Sequence, residues 1–256
     1  MRRALTNLAR PSGALAMVAV DQREALRGMF AAHQSTPVPD SQLTQFKVDV
    51  ARELSPFASA LLVDQEFGID AIINQSALKG SCGLIAAADL LVGPAGGAAT
   101  DTAVDPDVDP IRMRDINSVG LKFLVLWRND ESPDSRAKLV AEFNKLCEIS
   151  GLPSIIEIIV KPPTDTSKSF DREEELIIAA REAATWKPDL YKAEVPFHGE
   201  GDLSLVTKNA ERISEAIGSP WVVLSNGVKQ PFFNDAVKAC AIGGASGFLA
   251  GRAVWA

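Results

Sequence analysis

The chain is poor in the residues that most often do chemistry. Among 256 residues there are three cysteines, two histidines and one tyrosine. Cys82, Cys147 and Cys240 are odd in number and far apart. That excludes a disulfide framework and fits reduced thiols, buried as small hydrophobes in a cytoplasmic protein. His33 and His198 are the only histidines, and no metal-ligand spacing is present. No run approaches the ~18 consecutive apolar residues of a membrane helix. The start, Met1-Arg2-Arg3-Ala4-Leu5, is basic, but no apolar stretch follows before Arg10-Pro11, so it does not read as a secretory signal. Cationic excess is also lacking. The formal net charge is −7, which argues against a nucleic-acid partner. An acidic chain that binds an anion must therefore gather its cations locally.

What is present is ordinary globular composition, 46% hydrophobic and 23% charged, and the length suits one large α/β domain or two small ones. Short apolar runs rich in β-branched residues predict strands at 14–20, 58–63, 83–88, 122–127, 154–160, 190–195, 221–224 and 247–250. Amphipathic stretches between them predict helices at 23–32, 41–54, 68–78, 111–119, 135–149, 171–184, 204–217 and 234–242. Residues 93–109, rich in Gly, Pro, Ala and Asp without a period, read as an excursion loop. Strand-helix alternation gives a parallel sheet, and eight units of this length fit a single (β/α)8 TIM barrel over residues 1–256. A doubly wound open sheet is the weaker fit, because no glycine fingerprint follows the first strand. The sequence reaches Ala256 just after the eighth strand, apparently without a closing helix. The expectation is that the natural chain continues through another helix. Coverage by a partner subunit, or by the segment before Ala14, is the alternative.

Lys192 lies within a short apolar strand, Leu190-Tyr191-Lys192-Ala193-Glu194-Val195-Pro196. Desolvation there disfavours an ammonium, and a neutral buried lysine is a nucleophile toward carbonyl carbon. The bland alternative is a lysine paired with a carboxylate for structure alone. Strands four, five and six each carry a charge inside an apolar run: Lys122, Glu157 and Lys192. Neighbouring strands lie about 4.8 Å apart, so the three side chains can meet. One lysine can stay cationic, a carboxylate can move protons and the other lysine can attack. A purely structural triad has less to recommend it, since buried ion pairs stabilise weakly compared with apolar packing. In such barrels the site lies at the C-terminal strand ends. There the sequence offers Asp21 and Gln22 after strand one, and Asp64 and Asp89 after strands two and three with no assignable role. Ser225 and Gly227 follow strand seven, and Gly251 and Arg252 follow strand eight. Loops after strands seven and eight commonly hold a phosphate with backbone N–H groups and one cation.

The runs Val20-Asp21-Gln22-Arg23, Leu190 to Pro196, Leu224-Ser225-Asn226-Gly227 and Gly247 to Trp255 resemble the class I aldolases of the tagatose-bisphosphate aldolase family. Phe46-Lys47-Val48, Leu54-Ser55-Pro56, Leu126-Trp127-Arg128 and Asp171-Arg172-Glu173 are similar to its sulfofructose-phosphate branch. The likeness spans nearly the whole chain. It implies that Lys192 forms a Schiff base with a C2 ketone and that Glu157 is general acid and base. Lys122 would stay cationic, and Asp21 with Gln22 would hold substrate hydroxyls. Ser225, Gly227, Gly251 and Arg252 would hold a C1 phosphate. Arg128 is the first choice for a far anion, ahead of Lys161 and Arg23. The protonated imine is the electron sink, so no metal or other cofactor is implied. The implied partner is a small anionic sugar phosphate, with a homodimer or homotetramer as the expected assembly. Members carry a C-terminal helical tail, in line with the expected continuation. Another Schiff-base reaction on the same barrel, or a non-catalytic sugar-phosphate-binding barrel, are the competing readings.

Overall fold

Eight parallel strands close into a barrel, and their order follows from alternation of strand and helix along the chain. The computed structural model describes residues 3–256; Met1 and Arg2, which begin the basic N-terminal segment, lie outside the described residues. The barrel uses β1 (Leu15–Ala19), β2 (Ala60–Val63) and β3 (Gly83–Ala87). A separate antiparallel pair follows, β4 (Asp89–Val92) with β5 (Asp101–Val104). The barrel then resumes with β6 (Ser118–Trp127), β7 (Ser154–Val160), β8 (Leu190–Glu194), β9 (Trp221–Leu224) and β10 (Gly247–Ala250), and β10 pairs with β1 to close it.

The period-two alternation of a strand sorts the side chains into two cores. Leu15, Met17, Ala60, Leu62, Ile85, Ile155, Leu190, Val222 and Leu249 fill the barrel's interior. The alternate residues, among them Val18, Leu61, Phe123, Ile156, Tyr191 and Val223, face outward into a second core with the helices. These helices include α1 (Glu24–Ala31), α2 (Asp40–Leu54), α3 (Asp70–Asn74), α4 (Pro110–Asp115) and α5 (Pro133–Ser150). The set continues with α6 (Arg172–Trp186), α7 (Leu203–Ile217) and α8 (Gln230–Ile242). Their starts are chemically marked. Asp109, Asp171 and Asp202 each accept backbone N–H groups of the first turn, and α5 stops where Gly151 turns left-handed at φ 74°. Leu8, fully buried in a short 3-10 turn, packs against the interior cluster from the N-terminal side.

Three expectations need correction. Residues 93–109 are not one irregular excursion: Leu90 and Leu91 pair with Ala103 and Thr102, so the Gly-rich stretch is the tip of a hairpin. The helix expected at 111–119 ends at Asp115, because Ser118 already belongs to β6. After β10 the chain does form a helical turn, α9 (Arg252–Trp255). Trp255 stands edge-on to Phe46 of α2, and its Nε1 donates to the Ala19 carbonyl at 2.9 Å. Among the described residues before β1, Leu5, Leu8 and Ala9 pack against the interior cluster at the barrel's base. All three cysteines are buried and free. Burial pushes the Cys82 and Cys240 thiols up to about 12, so both remain protonated and inert at neutral pH.

Candidate active site

A cavity of about 120 Å3 lies at the C-terminal ends of the strands, lined by Asp21, Gln22, Lys122, Glu157, Lys192, Ser225, Asn226, Gly251 and Arg252 among others. Strand register explains the meeting. The Cα of Glu157 pairs with that of Lys192 on one side and Leu124 on the other. Lys122 starts one layer lower, opposite Ile155, and its long side chain reaches upward. Glu157 Oε2 therefore sits 2.9 Å from both Lys192 Nζ and Lys122 Nζ. One carboxylate oxygen bridges the two ammonium positions.

Lys122 is the centre of a larger array. Its Nζ also donates to Asp21 Oδ2 at 2.7 Å and to Asp89 Oδ2 at 2.9 Å. Asp89 is fully buried, accepts the Leu124 N–H at 3.1 Å, and faces Arg23 Nη2 at 3.6 Å. Burial works against the charge on Lys122, but the carboxylates of Asp21, Asp89 and Glu157 outweigh it and raise its pKa well above the ordinary lysine value. It is a fixed cation. Burial likewise opposes ionisation of Asp21, yet Lys122 and Lys192 hold its carboxyl well below the usual range. Two fixed cations, Arg23 and Lys122, thus face three carboxylates before Lys192 is counted.

Another part of the cavity is lined by Ser225, Asn226, Gly251 and Arg252. Ser225 Oγ lies 3.3 Å from the Gly251 N–H, and Arg252 Nη2 donates to Asn226 Oδ1 at 2.8 Å. A side chain at Gly251 would strike the Ala19 carbonyl and Gln22 Nε2 at 2.8 and 2.9 Å, so only glycine fits that approach. Gln22 Oε1 is buried without a hydrogen-bond partner among the described residues, an acceptor available to a bound hydroxyl.

Two expected site residues are not brought to this cavity. Arg128 lies just past the end of β6, pairs with Glu131 at 2.8 Å, and lines a separate cleft with Arg136 and Thr102. Gly227 turns left-handed at φ 75°, and the space a Cβ would take is filled by the His198 ring, 2.4 Å away. It shapes the turn that presents Ser225 and Asn226 without lining the cavity. Conversely, Asp89 and Arg23 belong to the array, and Asp64 supports it from behind. A signal for the two acids was present: Val-Asp-Gln recurs at 20–22 and 63–65, and Asp89 likewise stands within two residues of the end of strand three. Acids at matching strand ends converge in a closed barrel.

A family model described as DeoC/LacD family aldolase matches residues 15–256. The chain belongs to this family. DeoC/LacD aldolases of this kind are lyases of the class I type. Curated relatives include tagatose 1,6-diphosphate aldolase 2 of Streptococcus pyogenes, 28% identical over 95% of this chain and 81% of its own. Tagatose 1,6-diphosphate aldolase 1 of Enterococcus faecalis is 29% identical over 100% of this chain and 84% of its own. Among solved structures, a fructose-bisphosphate aldolase of Slackia heliotrinireducens superposes with a TM-score of 0.69 at 21% identity, over 94% of this chain and 75% of that one. An archaeal fructose-1,6-bisphosphate aldolase, with its catalytic lysine bound to a carbinolamine intermediate, superposes at 0.66 with 15% identity, over 98% of this chain and 91% of that one. These two structural likenesses establish the barrel fold. No helix among the described residues is long and apolar enough to cross a membrane.

Proposed function

We propose that this DeoC/LacD aldolase cleaves 6-deoxy-6-sulfofructose 1-phosphate to dihydroxyacetone phosphate and 3-sulfolactaldehyde, through a Schiff base on Lys192. The observation that carries the Schiff-base assignment is the Glu157 carboxylate, 2.9 Å from both Lys192 and Lys122. Lys122, locked as a cation by three carboxylates, makes a poor nucleophile. Lys192 has Glu157 as its sole ion-pair partner among the described residues, and it faces the cavity.

The steps follow from these positions. The Lys192 amine attacks the C2 carbonyl, and Glu157 supplies and removes the protons that turn the carbinolamine into an iminium ion and water. Glu157 then takes the proton of the C4 hydroxyl. The C3–C4 bond breaks, its electron pair moves into the iminium as an enamine, and the aldehyde leaves. Protonation at C3 and hydrolysis release dihydroxyacetone phosphate and the free lysine. Asp21 and Gln22 would hold substrate hydroxyls during this sequence. Ser225, Gly251 and Arg252 would hold the C1 phosphate. No role is proposed for Arg128 or Gly227 in contacting substrate.

The choice of sulfonate rests on the likeness of residues 46–48, 54–56, 126–128 and 171–173 to the sulfofructose-phosphate branch. The curated relatives named as tagatose 1,6-diphosphate aldolases supply the alternative, a ketose bisphosphate. Retro-aldol rates on 6-deoxy-6-sulfofructose 1-phosphate, tagatose 1,6-bisphosphate and fructose 1,6-bisphosphate separate the two. The sulfonated substrate should show the highest kcat/KM; a bisphosphate preferred tenfold or more, about 1.4 kcal/mol of transition-state discrimination, would overturn the sulfonate assignment. Borohydride reduction with dihydroxyacetone phosphate should leave its adduct on Lys192. An active enzyme with no adduct there would refute the Schiff base.

A further inference from the structure

The Phe46-Lys47-Val48 motif has no place in the chemistry above, yet Lys47 is among the most completely buried side chains in the protein. It projects from α2, outside the barrel, toward the end of β1. Its Nζ donates to the Val20 carbonyl at 2.6 Å and to the Gln22 carbonyl at 2.7 Å. The third partner is Asp64 Oδ2. An ammonium has three N–H bonds, and all three are used. The two carbonyls flank Asp21. They belong to a segment that has left the sheet, where backbone acceptors need another partner. The preceding carbonyl, that of Ala19, is held by Trp255 Nε1. Asp64 is itself fixed, because its Oδ1 caps the next helical segment by accepting the Phe67 N–H at 2.8 Å.

We infer that Lys47 is a positioning residue: by clamping the carbonyls on both sides of Asp21 from outside the barrel, it fixes the aim of that carboxylate into the cavity. The inference rests on the reading of Asp21 as a substrate-holding residue. The hydrogen bonds of Lys47 reach only the Val20 and Gln22 carbonyls and Asp64, and its charge adds a smaller pull that helps hold the Asp21 carboxyl ionised. Without the clamp, the β1 end can rotate, and Asp21 loses its fixed relation to Lys122 and to a bound hydroxyl. Misplacement by about 1 Å can cost about 100-fold in rate.

The buried pair is best removed as a pair, so that no uncompensated charge remains. In Lys47→Met/Asp64→Asn, the asparagine keeps the cap acceptor for Phe67. The expected result is a folded protein by circular dichroism that still forms the borohydride adduct on Lys192, while kcat for cleavage falls about 100-fold. A merely structural defect would lower adduct and turnover together, in proportion to the folded fraction. Lys47→Gln/Asp64→Asn, which retains two side-chain donors, serves if the first variant does not fold and should show a smaller loss. Adding Asp21→Asn to either pair should cost nothing beyond Asp21→Asn alone, because both changes disable one unit. Wild-type turnover in the paired variants, or losses that multiply, would overturn the role of Lys47 while leaving Asp21 in place. Full activity in Asp21→Asn alone would overturn the reading of Asp21, and the clamp with it.

Discussion

The two ends of the barrel are built from the same strands by the same alternation, yet their chemistry is opposite. Toward the N-terminal end the inward positions are Leu15, Met17, Ala60, Ile85, Ile155 and Leu190, closed off by Leu8. Toward the C-terminal end the inward positions become Asp21, Asp89, Lys122, Glu157 and Lys192. Along one barrel axis an apolar core gives way to a network of buried charge. The lower layer gains by leaving water, at roughly 1.5–3 kcal/mol for each large apolar side chain. The upper layer is costly to desolvate and repays that cost only through mutual pairing. Stability and chemistry are thus divided along the barrel axis, and a substitution should reveal its layer by which property it damages.

The largest effect should come from the upper layer. Lys192→Met removes the proposed nucleophile and should lower kcat by about 10^4-fold or more, with loss of the borohydride adduct in a protein that still folds. A variant that keeps turnover would move the chemistry to another group. Glu157→Gln keeps the shape of the bridge without its charge or its proton transfer. Turnover measured across pH should drop by about 10^2–10^4-fold while the fold persists; a loss confined to stability would assign Glu157 to structure.

Leu8→Ala tests the lower layer. It should cost about 2–5 kcal/mol of stability, each unit lowering Tm by roughly 2–4 °C in a chain of this size. The kcat/KM of the folded protein should stay at the wild-type value. A matching loss of activity at low temperature would show that the two ends are not independent.

The smallest effect is the pH dependence of the upper layer. The Asp21 carboxyl is held below its ordinary value. Its pairing therefore contributes stability that is complete above about pH 4 and is lost as pH falls through the lowered value. Lys122 is raised, so its contribution is complete below about pH 10 and lost only as pH climbs through the raised value. Denaturant midpoints should fall on acidification below about pH 4, and less steeply in Asp21→Asn than in wild type. Parallel acid limbs would remove Asp21 from the pairing.

The barrel was readable because short apolar runs rich in β-branched residues, separated by amphipathic helices, admit few other arrangements. The Lys122, Glu157 and Lys192 cluster was readable for a related reason: charges within three consecutive apolar strands have nowhere to go but inward. Elsewhere the reading stopped short. Arg128 sits one residue past the end of β6, where the chain is free to turn, and Glu131 three residues later captures it. Gly227 looked like an anion-binding turn, but its open space belongs to His198. The hairpin of β4 and β5 was hidden because its strands are four residues each, and its tip is rich in glycine and alanine.

Local pattern alone specified the alternation, the inward lysines and the marked helix starts, because each depends on neighbours within a few residues. Closure of the barrel assigned everything that depends on distant neighbours. It brought Asp21 to Lys122 across 101 residues and Asp89 to Lys122 across 33. It set Lys47 behind Asp21, where its three N–H bonds meet two carbonyls and a carboxylate. A charge inside an apolar run announces that it needs a partner. Which partner it finds is a matter of ångströms between strand ends, and those distances exist only once the sheet has closed on itself.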